Sequence, residues 1–210
     1  MRKVLLACGI LSSLLYVVLN ILGASWWMGY SLTTQTVSEL SAINAPSREL
    51  VVPLGLVYTI LVIAFGLGVW GSAHQNSRVR IVGGLLIAFG VAGLAAPFAP
   101  MHLRGEQTSL TDTMHIVLTI VSVLLMLLAL GFGATAFGKR FRLYSITTIL
   151  VLIVFGALAG LDGPRIAANL PTPWAGVTER ISIGAFLLWV VVLAMVSVAP
   201  RVPRPRMTPL

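Results

Sequence analysis

Histidines and acids lie close together in the middle of the chain, within residues 98–115. Asp112 and His115 are three positions apart, so on a helix they share one face about one turn apart. Metal sites in helical bundles use a related Glu-x-x-His spacing, and histidines and carboxylates are common general acids and bases. The alternative is structural: Asp112 caps a helix, and His115 bonds a neighbouring helix.

An enzyme built on this pair needs further groups. If His102 joins Asp112 and His115, the set predicts a zinc site with one open position, whose bound water would hydrolyse a lipid-like substrate. A metal-free version would use an acid that burial keeps protonated. The sequence has a single cysteine, Cys8, and no His-x-x-x-His, so we assign no cofactor from it. The acids that would assist are Glu39, Asp162 and Glu179.

Arginines near the same acids suggest a different chemistry, the binding of an anionic headgroup, phosphate or carboxylate. Arg180 follows Glu179 at the head of the last apolar run, where an unpaired charge near the hydrocarbon is costly. We therefore expect a carboxylate partner for Arg180, either Glu39 or Asp162. The candidate headgroup-binding arginines are Arg48, Arg104, Arg165 and Arg180.

The composition defines the medium in which these groups lie. The chain is 58% hydrophobic and only 10% charged, whereas soluble domains are about one-quarter charged. This predicts an integral membrane protein. No charged residue falls in the middle of an apolar run, which argues against a proton pump or a voltage sensor.

Six apolar runs have the length of about 20 residues that a membrane helix needs. None alternates with period two, so we predict helices and not barrel strands. The first run is too long for a signal peptide and lacks a good cleavage site, which favours an uncleaved helix. The prediction is an all-α, six-transmembrane-helix bundle over residues 1–200, followed by a basic, disordered tail at 201–210. The predicted spans are 4–23, 50–72, 81–97, 114–137, 143–161 and 180–199.

The charges predict the orientation. With the N-terminus in the cytoplasm, the inner segments hold ten lysines and arginines and the outer segments hold four. Both termini are then cytoplasmic. The basic excess reflects topology and attraction to anionic lipid, and no nucleic-acid-binding motif accompanies it. All six acids fall on the outer side: Glu39, Glu49, Glu106, Asp112, Asp162 and Glu179.

The outer loops are long and the inner turns short, as in a bundle whose outer loops cover a cavity. Two stretches match the capping box, Thr36 to Glu39 and Ser109 to Asp112. The first predicts a short helix over residues 37–43, lying at the surface or dipping into the bundle.

A family resemblance rests on these features. The six spans, the Thr-Val-Ser-Glu-Leu-Ser stretch beginning at Thr36, Asp112-x-x-His115 and Glu179-Arg180 resemble the bacterial membrane proteins grouped as domain-of-unknown-function family 998. The resemblance covers nearly the whole chain. It implies a six-helix bundle in the plasma membrane and no assigned reaction.

Three functions follow from the sequence. The first is a pocket at the outer helix ends that binds or handles a lipid-like or amphipathic small molecule. The second is an intramembrane enzyme that uses Asp112 and His115, with Glu179 assisting. The third is an accessory membrane subunit whose charges only hold helix ends together. In the first, the candidate ligand-binding residues are Glu39, His102, Arg104, Asp162, Arg165 and Arg180.

Overall fold

The computed structural model describes residues 1–198, and the predicted tail at 201–210 lies outside them. The described part is all-helical, with six helices long and apolar enough to cross a membrane, as predicted. They are α1 (Arg2–Trp26), α2 (Arg48–Gly71), α3 (Ser77–Leu94), α4 (Leu110–Ala136), α5 (Lys139–Leu161) and α7 (Ala175–Val198), with a short α6 (Gly163–Ala167) between the last two.

The helix ends differ by a few residues from the predicted spans. A 3-10 turn at Ala96–Phe98 follows α3, where Pro97 ends the regular helix. Helix α7 begins at Ala175, five residues before the predicted start. Glu179 and Arg180 therefore lie in the second turn of α7. The apolar run alone predicts them at the head of the helix, so this part of the prediction is wrong.

The six long helices form a closed ring in which each packs against two neighbours, in the order α1, α2, α3, α4, α5, α7 and back to α1. We call the end that carries the six acids the acidic end, and the opposite end the basic end. Glycine allows the closest approach: a Cβ on Gly83 of α3 would lie 2.6 Å from the backbone nitrogen of Trp70 in α2. Any larger residue would separate these two helices.

The basic half of the ring has a tightly packed centre. Phe65, Phe186 and Trp189 are fully buried there. The ring of Phe186 stacks on that of Trp189 with centroids 6.0 Å apart, and the indole nitrogen of Trp189 donates to Ser145 Oγ at 2.9 Å. Close van der Waals packing of this kind holds membrane helices together, and the satisfied indole removes the penalty of a buried donor.

The acidic half is packed on one side only. Helices α1, α2 and α7 have buried residues along most of their length. In α4 and α5 the buried residues lie in the basic half or close to the middle of the helix: none occurs in residues 110–128 or in residues 153–161. The acidic halves of α4 and α5 therefore contribute only partly buried side chains to the interior of the ring.

The first acidic-end loop, residues 27–47, folds onto the packed side of the ring. It contains a 3-10 helix at Ser38–Ser41, shorter than the helix predicted over 37–43. Leu40 of this helix is fully buried against Leu19 of α1 and Val51 of α2. The hydroxyl of Ser47 donates to the carbonyl of Leu40 at 2.7 Å, which fixes the loop against the start of α2.

Candidate functional site

Glu39 is the only fully buried charged side chain among residues 1–198, with 0% exposure. Its Oε2 accepts hydrogen bonds from Thr36 N at 2.7 Å and Thr36 Oγ1 at 3.0 Å. Its Oε1 accepts from Arg104 Nε at 2.5 Å, and Oε2 also accepts from Arg104 Nη2 at 2.9 Å. The carboxylate thus returns to the Thr36 amide as in a capping box, and a paired arginine neutralises the buried charge.

Arg104 connects all three acidic-end loops. It lies in the second loop, binds Glu39 of the first, and donates from Nη1 to Thr172 Oγ1 of the third at 2.6 Å. Nη2 also donates to the Thr34 carbonyl at 2.6 Å. The hydrogen bonds to Glu39 raise the pKa of Arg104 above its usual value. We call Thr34, Thr36, Glu39, Arg104 and Thr172 the loop junction.

Arg180 binds the first loop through neutral groups. Its Nη1 donates to the carbonyls of Leu32 at 3.0 Å and Gln35 at 2.9 Å, and Nη2 donates to the Tyr30 hydroxyl at 2.6 Å. Burial raises the pKa of Tyr30 to about 12, so its hydroxyl stays protonated and donates to the Thr36 carbonyl at 2.6 Å.

The prediction of a carboxylate partner for Arg180 is therefore wrong. Within residues 1–198, neither Glu39 nor Asp162 forms an ion pair with Arg180; Glu39 is taken by Arg104. Neutral acceptors of the first loop bind the two Nη atoms of Arg180, so no carboxylate is needed there. Its Nε is buried and has no hydrogen-bond partner within the described residues.

Glu179 uses one of its two carboxylate oxygens. Oε2 accepts from the backbone nitrogen of Val37 at 2.5 Å, so the residue next to Arg180 also holds the first loop. Oε1 has no hydrogen-bond partner among the described residues. The second turn of α7 thus presents one unused acceptor, on Glu179, and one unused donor, on Arg180.

Asp112 and His102 form a hydrogen-bonded pair. Asp112 Oδ2 lies 2.7 Å from His102 Nδ1, and Oδ1 accepts from the His102 backbone nitrogen at 2.8 Å. Oδ2 also accepts from Ser109 N at 2.8 Å, which completes the capping box predicted at the start of α4. The His102 side chain is 21% exposed, and its Nε2 has no partner within residues 1–198. Asp112 therefore orients His102 and leaves Nε2 free to exchange a proton.

His115 lies one helical turn beyond Asp112, as its spacing predicted, but has a different partner. Its Nδ1 is 3.0 Å from the carbonyl of Ala99. Within the described chain, no three His, Cys, Asp or Glu side chains lie close enough together to hold a metal ion. The structure thus brings Asp112 to His102 and holds His115 separately against the second loop.

The remaining candidates lie apart from these groups. Asp162 Oδ1 is 4.0 Å from Arg165 Nε, and the Arg165 side chain is 50% exposed. Arg165 also donates from Nη2 to the carbonyl of Pro171 at 2.8 Å. This contact is local to the third loop. Arg48 similarly donates to the carbonyl of Ser41 in the first loop.

Several neutral members of this site could not be predicted from the sequence. Thr172 and Thr34 join the loop junction through a hydroxyl and a carbonyl, and nothing in their sequence context marks them. The role of Tyr30 as the partner of Arg180 depends on the path of the first loop. Tyr16 and Tyr58 pair with ring centroids 4.9 Å apart, and Tyr16 lies within electrostatic range of Glu179.

Comparisons with known proteins identify a family and no characterised relative. The family model described as "Protein of unknown function (DUF998)" matches residues 10–196. No curated protein and no solved structure matches the chain. Because the match covers nearly the whole chain, the protein belongs to the DUF998 family and is a multi-pass membrane protein.

Proposed function

We propose that this DUF998 protein binds a lipid-like, amphipathic small molecule in the acidic half of its helix ring. The observation that carries the proposal is the uneven packing of that half. Helices α1, α2 and α7 are packed there, while residues 110–128 of α4 and 153–161 of α5 contain no buried side chain. Because lipid tails are as apolar as the helix side chains, a bound alkyl chain can fill the space that these helices leave unpacked.

The half-buried face of α4 supports a surface for an amphipathic molecule, because it carries both polar and apolar side chains. His115, Leu118 and Ser122 recur at helical spacing and are all partly buried, whereas Leu124 is 53% exposed. The partly buried stripe faces the interior of the ring, and the exposed residues face lipid. An alkyl chain that enters between α4 and α5 would cover this stripe.

Polar atoms in the same half would hold the other end of the molecule. Glu179 has an unused acceptor, and Arg180 Nε is an unused, buried donor. Leaving a buried polar group unpaired costs about 1–3 kcal/mol, which a ligand hydroxyl or amide would recover. The loop junction covers the acidic end, so the ligand would enter from the side, through the bilayer.

The proposed location follows from the charges. Lysines and arginines collect at the basic end, which the positive-inside rule places in the cytoplasm. The acidic end and its loops then face outward from a plasma membrane, and the ligand comes from the outer leaflet.

The test measures co-purifying lipid in three versions of the full chain. Leu118→Trp places a bulky ring on the inward stripe of α4. Leu124→Trp is the matched control, because it makes the same change on the exposed face of the same helix. Lipids are extracted from each purified protein and quantified by mass spectrometry. We expect a lipid species near one per protein in the wild type and in Leu124→Trp, and a several-fold loss in Leu118→Trp.

Equal lipid content in all three proteins would contradict the proposal, because a bound molecule in the ring must compete with the new indole. An absence of any enriched species in the wild type would also contradict it. Circular dichroism and size exclusion in detergent check that both variants are folded.

A second candidate function, an enzyme that acts on lipid headgroups, rests on the pair of His102 and Asp112. In this mechanism His102 Nε2 accepts a proton from water while the water oxygen attacks an ester carbonyl. The imidazolium then returns the proton to the departing alcohol, and Asp112 stabilises its charge. His115 lies one turn beyond Asp112 on α4, and Glu179 lies on α7.

This candidate is tested with a fluorogenic short-chain ester over pH 5–9. His102→Gln should abolish turnover, and Asp112→Asn should reduce it at least 100-fold. His74→Gln is the control, because His74 lies at the basic end of the bundle. Hydrolysis that is unchanged in His102→Gln, or absent from the wild type, would rule out this reaction.

A further inference from the structure

An open cavity of about 600 Å³ lies at the basic end, far from the loop junction. It is formed by the turn between α4 and α5, the first turns of α5, and the last turns of α7. A volume of this size accommodates part of a lipid molecule. Its walls include Lys139, Arg140, Phe141, Tyr144, Val192 and Val196.

One side of this cavity is cationic. Lys139 and Arg140 are exposed and form no hydrogen bond or ion pair with the rest of residues 1–198. Nearby arginines are engaged: Arg78 donates to the Thr135 carbonyl at 2.8 Å, and Arg142 donates to that of Ala134. The two cations at the cavity are thus available to an external anion.

The same side contains an uncapped helix start. Gly138 precedes α5 and supplies no side-chain cap, so the first backbone N–H groups of α5 have no partner from it. Free N–H groups and the helix dipole favour an anion, particularly one with phosphate oxygens. Phe141, in the same first turn, lines the cavity, so this helix start borders the open cavity.

The other side of the cavity is apolar. Val192 and Val196 of α7 and the aromatic ring of Phe141 form it, together with Tyr144. The Tyr144 hydroxyl is buried and has no hydrogen-bond partner among the described residues. This wall matches an acyl chain and its polar ester linkage, and does not match a free inorganic anion.

We propose that this cavity binds an anionic phospholipid of the leaflet at the basic end. Its phosphate lies between Lys139, Arg140 and the first N–H groups of α5, and an acyl chain runs along Val192 and Val196. Basic pockets between membrane helices bind such headgroups. The site is independent of the ligand proposed for the acidic half.

The test follows thermal unfolding of the full chain in neutral detergent during titration with short-chain phosphatidylglycerol, phosphatidylcholine or inorganic phosphate. The double variant Lys139→Gln/Arg140→Gln removes both cations. The control Arg2→Gln/Lys3→Gln removes the same charge from the same end, outside the cavity. We expect phosphatidylglycerol to raise the melting temperature of wild type and control, and to bind the cavity variant roughly 30-fold more weakly, at about 1 kcal/mol per cation.

A second variant separates the cavity from general surface attraction. Val196→Trp fills the apolar wall without changing charge, and should also weaken the phosphatidylglycerol effect. Equal weakening in the Arg2→Gln/Lys3→Gln control, or full binding by Val196→Trp, would reduce the effect to surface electrostatics and overturn the proposal. Equal stabilisation by inorganic phosphate, or none by phosphatidylglycerol, would overturn it as well.

Discussion

At the acidic end the arginines are bonded to the protein itself, whereas at the basic end Lys139 and Arg140 have no partner within residues 1–198. Arg104 uses all three of its guanidinium nitrogens inside the loop junction. Arg180 donates to two carbonyls and a tyrosine of the first loop. Arg104 and Arg180 thus hold loops together at the acidic end, whereas Lys139 and Arg140 are exposed at the basic end.

Loop length explains this difference. The first acidic-end loop spans residues 27–47, and most of its carbonyls lie outside regular helix, so they need donors. The basic-end turns are only a few residues long and are largely self-sufficient: Asn76, for example, caps α3 by accepting from Arg78 N and Val79 N. The acidic-end loops use all four of their arginines, whereas the basic-end turns use Arg78 and Arg142 and leave Lys139 and Arg140 without a partner within residues 1–198.

The largest effect should come from Arg104→Ala. It leaves the fully buried carboxylate of Glu39 without its counter-charge and separates the three loops. Breaking a buried ion pair from one side costs about 3–5 kcal/mol. Reversible unfolding in mixed micelles measures the loss of unfolding free energy.

The matched control for that measurement is Arg165→Ala. Arg165 belongs to the third loop but is half-exposed and 4.0 Å from Asp162, and exposed ion pairs contribute at most about 1 kcal/mol. Similar losses of unfolding free energy in the two variants would mean that the loop junction stabilises the fold no more than an exposed ion pair does. The arginines at the acidic end would then not hold its loops together.

An intermediate effect should follow from Asp112→Ala. This change removes the capping contact to Ser109 N and both contacts to His102, so α4 loses its cap and the second loop loses an anchor. Loss of an N-terminal cap costs about 0.5–2 kcal/mol. The same unfolding assay measures it, with Glu106→Ala as the control because Glu106 is exposed in the same loop. No difference between these two variants would show that the carboxylate of Asp112 is not structural.

Helices were predictable here because membrane spans depend on local composition. An apolar run of sufficient length must form a helix in lipid, whatever its neighbours are. The ends of α7 were less predictable, since Thr178, Glu179 and Arg180 are polar enough to resemble loop and yet continue the helix from Ala175. Polarity indicates where a span meets water, which differs from where its helix begins.

The pairing of site residues depended on the loops and so escaped the sequence. Glu39 was one of two expected partners for Arg180, but it lies against Arg104 because the first loop folds inward at Leu40. Asp112 and His115 share a helix face as predicted. Asp112 nevertheless binds His102, which lies in the loop after Pro100. The spacing of two residues along a helix predicts that they share a face of that helix. Which residues of other segments contact that face depends on how the loops fold.

The smallest effect should come from Lys139→Gln/Arg140→Gln in lipid-free detergent or neutral lipid. These side chains form no hydrogen bond or ion pair within residues 1–198, so the unfolding free energy should change by less than about 0.5 kcal/mol. The measurement is the same unfolding assay, with wild type as the reference. A loss above about 1 kcal/mol without any anionic lipid would mean that these cations hold the fold as Arg104 does. The two ends would then differ in the length of their loops and not in the use of their charges.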